Sequence, residues 1–529
     1  FQARAVLPSS LALQVAELKQ VVPDMSQQIL SRLLGIAQVF HEMTEDKDRG
    51  VNIPNFPSAS VGLAAKLLDI VRIKGKTENM NAVMLRQALD FIYPFTHLSI
   101  GTNIDEEVQG TINDVYDQLE LTIPNRDTMP WINFINIGLA PNELNDDVIY
   151  NASNLPKRAH LELGTGKTIV VPCGPNPLGA TWLSATPDIM SGDDFVNTQH
   201  QTTVLQECLQ AHAVGDFCIV GAKGVGKSAI VREFARALGY ETTLICMYKD
   251  MTTRDLFERR NTRENGDTYW SASALVDAAR SGNLAILDGL DMVHPGTIAS
   301  LSRLVHDREL TLPSGDRLLN KERYQSMLDE GRTKAELDSM KIYAIHPSFR
   351  IIAIAREPNV KSLVPGASWL TAETCALFAY VFIRPFSREE ERQVLHTLCP
   401  AAPAEKLKSL LDITAALRNQ SDDDVIGGLA DSLSTRQLLR VSRRLDSFPD
   451  ADLHTAIHRA CLSRFLPSLA YDTLEQFLND SNVYRMDDLD DIALTDDGEL
   501  DESKVFFQEV PIAGATNEPG TPSSIVSIQ

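Results

Sequence analysis

Apolar positions between residues 22 and 94 fall at helical spacing, and the same pattern returns far downstream. A shift of 377 carries Val22-Pro23 onto Cys399-Pro400, Leu33-Leu34 onto Leu410-Leu411, Ile36 onto Ile413 and Leu68-Asp69 onto Leu445-Asp446. A shift of 373 carries Ala88-Leu89 onto Cys461-Leu462 and Pro94 onto Pro467. Self-similarity at that distance predicts tandem modules, of which the first contributes only its helical tail. Between the copies the period changes. Glu106 to Leu121 reads as a helix, and His160 to Pro172 as a β-hairpin turning at Gly164 to Lys167. Phe217–Val220 and Leu284–Asp288 are short apolar runs of buried-strand type, and Phe349 to Ala355 is another, ending before Arg356-Glu357-Pro358. Ala229 to Leu238 reads as a helix with Val231, Phe234, Ala235 and Leu238 on one face and Gly239 as its stop. Leu304 to Leu312 reads as a helix passing into a turn at Pro313 to Asp316.

Between the Phe217 strand and the Ala229 helix lies Gly221-Ala222-Lys223-Gly224-Val225-Gly226-Lys227-Ser228, which fits G-x-x-x-x-G-K-[ST] in the strand–loop–helix setting that pattern requires. Glycines let consecutive N–H groups turn toward phosphate oxygens, and a helix N-terminus adds its dipole. Lys227 would sit by the β and γ phosphates of ATP, and Ser228 would contribute its hydroxyl to Mg²⁺. Asp288 ends its strand 61 residues after Lys227, where a P-loop sheet places the aspartate that orders the Mg²⁺ shell. Gly164-Thr165-Gly166-Lys167-Thr168 imitates the end of such a loop, but Leu161 stands at the first glycine position and a strand follows.

Composition narrows the picture. At 529 residues the chain is too long for one core. Its net charge of −22 argues against a broad nucleic-acid surface, so Arg440-Val441-Ser442-Arg443-Arg444 reads as a solvated helix face. Seven scattered cysteines without a C-x-x-C fit free thiols in a reducing, intracellular compartment and no metal site. The longest apolar run, Cys375 to Ile383, is too short to span a bilayer. Phe1 at the start predicts a fragment or processed product. Asp487 to Glu502 is dense in carboxylates, and the last 25 or so residues read as disordered or cut from a following domain.

Beyond the loop, the order Met251-Thr252-Thr253-Arg254-Asp255-Leu256, Gly266-Asp267-Thr268-Tyr269-Trp270, Asp288 and His346-Pro347-Ser348-Phe349-Arg350 resembles the AAA+ ATPases of the MoxR, midasin and dynein-related group. The resemblance covers about residues 1 to 510. It implies an α/β P-loop core, with a parallel sheet flanked by helices, and a helical lid. The domain map expected from it is a lid of a preceding module at 1–105, a connecting segment with the hairpin at 106–200, the core at 201–385, its lid at 386–480, and an acidic linker at 481–529. It further implies a Walker A loop at Gly221 to Ser228, a Walker B acid at Asp288 and a sensor-2 arginine at Arg436. Neighbouring modules in cis or trans would be partners in a ring, with an unknown protein client and a mitochondrial setting.

Three positions depart from that pattern. Gly289 stands where the group carries a water-polarising glutamate, Arg356 where it has the sensor-1 asparagine, and Leu377 where it has an arginine finger. Asp291 is open to two readings, a substitute carboxylate for the water or the N-cap of a following helix. Arg356 either reaches the phosphate or pairs with Glu357. ATP binding with slow hydrolysis is therefore expected ahead of a fast motor. A non-catalytic ATP-binding module is the alternative, and a small-molecule kinase the third reading.

Overall fold

A computed structural model describes residues 9–45, 56–71, 82–93, 103–121, 134–139, 149–150, 155–163, 166–175, 195–357, 369–420, 424–484, 507–511 and 524–528. Its chain divides into two compact units, Phe1–Leu398 with Ser434–Arg436, and Cys399–Leu433 with Gln437–Gln529.

Among the described residues, the first unit opens with the α-helices α1 (Leu11–Val21), α2 (Gln27–Glu45), α3 (Val61–Val71), α4 (Ala82–Ile92) and α5 (Asn103–Gln118). Ser10 starts α1 by accepting from the Leu13 N–H. The helical period buries Leu30, Leu33, Leu67, Leu68 and Leu89 together. Phe40 gathers Phe56, Tyr93 and Tyr116 around it at centroid distances of 5.6, 5.9 and 4.9 Å. The five helices pack within the same unit as the sheet that follows, and Ser60 donates its hydroxyl to the Ala376 carbonyl at 2.9 Å.

Strands β1 (Phe134–Leu139), β2 (Lys157–Leu163) and β3 (Thr168–Cys173) form an antiparallel sheet in that order. The hairpin expected at His160 to Pro172 is thus β2–β3. Gly164 and Thr165 of its turn lie outside the described residues. Lys167, the lysine of the imitation loop, donates to the Asp69 and Ile70 carbonyls near the C-terminus of α3. That is a helix-end contact, favoured by the negative end of the dipole.

Helix α6 (Gln199–Val214) starts with a capping box between Thr198 and Gln201. Then follow β4 (Phe217–Gly221), α7 (Lys227–Ala237), β5 (Thr242–Cys246), the hairpin of β6 (Glu258–Thr262) and β7 (Thr268–Ala272), α8 (Ala274–Ser281) and β8 (Leu284–Asp288). The three short strands β9 (Leu310–Thr311), β10 (Arg317–Leu319) and β11 (Ile342–Ala344) form a small separate sheet. Last come β12 (Arg350–Ala355), β13 (Ala379–Ile383) and α9 (Arg388–Leu398). The main sheet runs β13-β4-β12-β8-β5 with every pair parallel. Strands β4, β8, β12 and β13 are continuous apolar runs because both faces are covered, whereas the edge strand β5 alternates between exposed and half-buried positions. Asp216, fully buried, sits just before β4. It accepts from both terminal nitrogens of Arg308 at 2.6 and 2.7 Å and from the Ile351 N–H at 3.0 Å, pinning β12 beside β4.

One expectation is corrected. Leu304 to Leu312 is not one helix: Arg303–Asp307 makes a wide π-type turn, and Arg308, at φ 53°, breaks away so that Leu310–Thr311 can pair with β10. The pairing with β10 outweighs the local helical pattern. In the polar terminus, read as disordered or cut from a following domain, β14 (Phe507–Pro511) and β15 (Ser524–Ile528) pair antiparallel. Asp487 to Glu502 lies outside the described residues.

The second unit is mostly helical: α10 (Ala404–Asn419), α11 (Asp424–Ser432), α12 (Thr435–Ser447, whose first two residues belong to the first unit), α13 (Leu453–Ala460) and α14 (Ser468–Asp480). Leu438, Val441, Ser442 and Leu445 of α12 are buried and Arg444 is half-buried, so of the stretch read as a solvated face only Arg440 and Arg443 are exposed, because the helical period turns the residues between them into the core. The 377-residue shift reappears in the helix limits. It carries α1 onto α9 end to end and the first residue of α2 onto the first of α10. Among the described residues, no helix is long and apolar enough to cross a membrane.

Candidate functional site

Strand β4 lies between β12 and β13, so the chain leaves it toward one side of the sheet and returns on the other. Ligands of open α/β sheets bind beyond the carboxyl ends of the strands at such a point, and the loop 221–228 starts there. Helix α7 begins at Lys227, two residues earlier than its apolar pattern indicates, which places Lys227 and Ser228 in its first turn. Gly226 precedes it at φ 96°, and no side chain caps the helix, so its leading N–H groups are left to a ligand. Lys227 is 9% exposed and folds back to donate to the Gly221 and Ala222 carbonyls at 2.6 and 2.7 Å. Burial holds its ammonium below the ordinary lysine value, opposed by the carboxylates of Asp291, Asp288 and Glu357. Val225 is buried, whereas Lys223 and Ser228 are exposed. A loop of this shape, with a cation waiting on carbonyls and an exposed hydroxyl in the first turn of the helix, fits a nucleoside polyphosphate and its Mg²⁺.

The register brings the acids alongside. Asp288 pairs with Ile354 of β12 and with Cys246 of β5, and Val220 of β4 pairs with Ala355. Gly289 then adopts φ 92°, ψ 38° and caps a single 3₁₀ turn, Leu290–Met292. Asp291 lies within that turn and is not its N-cap. The Asp291 carboxylate is 10% exposed and accepts from the Arg356 N–H at 3.0 Å and from Arg356 Nε at 2.8 Å. Arg356 therefore has its guanidinium on Asp291, with Met292 Sδ 3.3 Å from Nη2. Neither reading of Arg356 from the sequence named this carboxylate, 65 residues upstream. Leu377 is 2% exposed in the core, a position from which no side chain reaches a neighbouring molecule.

Arg436 is exposed at the start of α12, and its Cβ approaches Gly224: a Cβ built on Gly224 would lie 3.8 Å from it. The same added atom would lie 2.4 Å from Ser434 Oγ and 2.6 Å from its Cβ, so the residues leading into α12 rest directly on the loop. Thr435 Oγ1 donates to Glu391 of α9 at 2.8 Å, which holds that approach in place. Sequence reasoning missed Ser434. Its one signal was a Ser-Thr pair immediately ahead of a helical pattern. The residues 221–228, Asp288, Asp291, Arg356 and Arg436 thus all belong to one compact unit.

Residues 216–375 match the AAA domain family, dynein-related subfamily. This segment is a dynein-related AAA domain. The AAA domain has the α/β P-loop fold, with the mostly parallel five-stranded sheet flanked by helices that its strand order displays. The chain is 37% identical over 487 residues to von Willebrand factor A domain-containing protein 8 of Mus musculus, covering 91% of this chain and 24% of that protein. It spans about a quarter of that relative's length. A crystal structure from Cytophaga hutchinsonii, named as a candidate ATPase, overlaps 51% of this chain and 86% of its own at 11% identity, with a TM-score of 0.24, too low to bear on the fold.

Proposed function

We propose that this AAA domain binds ATP with Mg²⁺ and turns it over slowly, as one module of a larger multi-module ATPase. The observation that carries the reading is Lys227, a buried ammonium that donates to two loop carbonyls at the head of an uncapped helix. An arriving phosphate competes for that ammonium, and the N–H groups of α7 supply the rest of the cradle. Ser228 and Asp288 would hold Mg²⁺, whose chemistry is to bridge the β and γ oxygens and neutralise their charge. Arg436, whose Cβ lies near Gly224, would sense the terminal phosphate.

Gly289 favours the alternative, a non-catalytic module that binds ATP to fix its surroundings while other modules hydrolyse it. The position lacks a carboxylate, and both oxygens of nearby Asp291 are engaged by Arg356. Neighbouring AAA+ modules, in cis or in trans, are the proposed partners, together with a protein client of unknown identity. All seven cysteines are free thiols, which supports a reducing compartment. The mitochondrial placement rests on resemblance alone.

Binding of a fluorescent ATP analogue tests the reading. The wild-type chain should bind it and Lys227→Ala should lose at least a hundredfold in affinity; undiminished binding by the variant would move the site elsewhere. Single-turnover hydrolysis by the wild type then separates slow catalysis from none.

A further inference from the structure

We propose that the second unit carries a zinc site formed by His454, His458 and Glu475, clipping α13 to α14. The two histidines are spaced i, i+4 on α13 and so share one face of the helix. Their Nε2 atoms converge on the two oxygens of a single carboxylate from α14. His454 Nε2 lies 3.0 Å from Glu475 Oε2, and His458 Nε2 lies 3.3 Å from Oε1. Taken together, the ligand atoms of the three residues lie within 4.8 Å of one another. Zinc bound tetrahedrally by nitrogen and oxygen at about 2.1 Å needs its ligands roughly 3.4 Å apart. The two imidazole–carboxylate separations, 3.0 and 3.3 Å, approximate that edge length, and the third lies within 4.8 Å, so modest side-chain shifts would seat a cation.

The surroundings suit a metal better than a salt bridge. The imidazoles stack at 4.3 Å between centroids and 28° between planes. His454 and His458 are only 8% and 12% exposed at their side chains, and Glu475 27%, which leaves an opening for a fourth ligand such as water. Two imidazoles and one carboxylate select zinc and its neighbours over magnesium or calcium, which prefer oxygen throughout.

A supporting shell is present. His458 Nδ1 lies 2.8 Å from Ser463 Oγ, an oxygen able to accept its proton and so leave Nε2 for the ion. Leu462, at φ 53°, turns the chain so that Ser463 meets the ring. At the other end of α13, Asp452 accepts from the His454 and Thr455 N–H groups and fixes the start of the helix. Helix, cap and turn thus hold both imidazoles before any ion arrives. The three ligands lie in the unit that excludes the AAA segment, and the inference stands whether or not ATP binds.

Cobalt titration of the full chain, stripped with chelator, tests it. Expected are visible ligand-field bands saturating near one equivalent, without the thiolate charge-transfer band that cobalt on a cysteine produces. Zinc should displace the cobalt and raise the melting temperature. His458→Gln and Glu475→Gln should each lose at least a hundredfold in cobalt affinity, and Ser463→Ala about ten- to a hundredfold. Circular dichroism in chelator should show all variants folded. If a ligand variant fails that control, Ser463→Ala and the wild-type spectrum decide. No cobalt uptake at micromolar concentration, a thiolate spectrum, or equal affinity in the folded variants would overturn the site.

Discussion

Replacing Gly224 by alanine probes how closely the residues leading into α12 press on the phosphate loop. Two costs separate cleanly. Gly224 sits at φ 86°, where any L-residue is strained by about 1–2 kcal/mol. The new methyl would also lie 2.4 Å from Ser434 Oγ and 2.6 Å from its Cβ, an overlap that forces movement worth about 1–3 kcal/mol. Gly226→Ala is the control: its φ is 96°, but no heavy atom lies within 4 Å of the added methyl, so only the backbone strain applies. Ser434→Gly in the Gly224→Ala background should return the steric part and leave the strain. Thermal melts of the four chains of that cycle should show coupling of about 1–3 kcal/mol, each kcal/mol moving the transition by roughly 2–4 °C for a unit of a few hundred residues. Affinity for a fluorescent ATP analogue should follow the same order. If the two substitutions add to within about 0.5 kcal/mol, Ser434 is not what the missing side chain makes room for, and its seating on the loop is wrong.

Gly289→Glu, which restores the family's carboxylate, should not speed hydrolysis. Its φ of 92° would strain the residue, and its Cβ would emerge 3.3 Å from the Met247 carbonyl and 3.6 Å from Met292 Cγ; a tenfold gain in single-turnover rate would refute this. Asp291→Asn should lower stability modestly, since it removes the charge paired with half-exposed Arg356, yet change residual turnover by less than about tenfold; a thousandfold loss at unchanged ATP affinity would instead make Asp291 the base. Glu390 accepts two bonds from Arg384 at 2.8 Å, which draw its carboxyl down to about 2. A depressed folded value means the pair stabilises fully above the unfolded value near 4.5 and fades as pH falls toward 2. Glu390→Gln should therefore cost on the order of 1 kcal/mol at pH 7, modest because Arg384 stands half in solvent, and almost nothing near pH 2. A deficit in denaturant midpoint that holds constant down to pH 2.5 would contradict it.

What the sequence revealed of this site was what is encoded locally. A loop of eight consecutive residues, its preceding strand and its following helix carry their own geometry, so residues 221–228 could be read directly, and Asp288 from the apolar run it terminates. The helix repeat was legible because period and spacing survive where identities are few, as α1 and α9 show. The Asp291–Arg356 pair was not legible, because β8 and β12 become neighbours only when the sheet assembles. Ser434 is 210 positions from Gly224 and carries no pattern of its own. Leu304–Leu312 misled for the opposite reason: local helical spacing yielded to pairing with β10.

Strand β5 ends the sheet on its open side, with burial alternating along it and Cys246 facing solvent opposite Asp288 in register. The other six thiols are buried. A maleimide dye added to the unmodified chain should therefore label one position, a single strand away from the carboxylate proposed to hold magnesium. Nucleotide arrival could then be followed optically in real time, with no engineered cysteine and no disturbance of the residues under study.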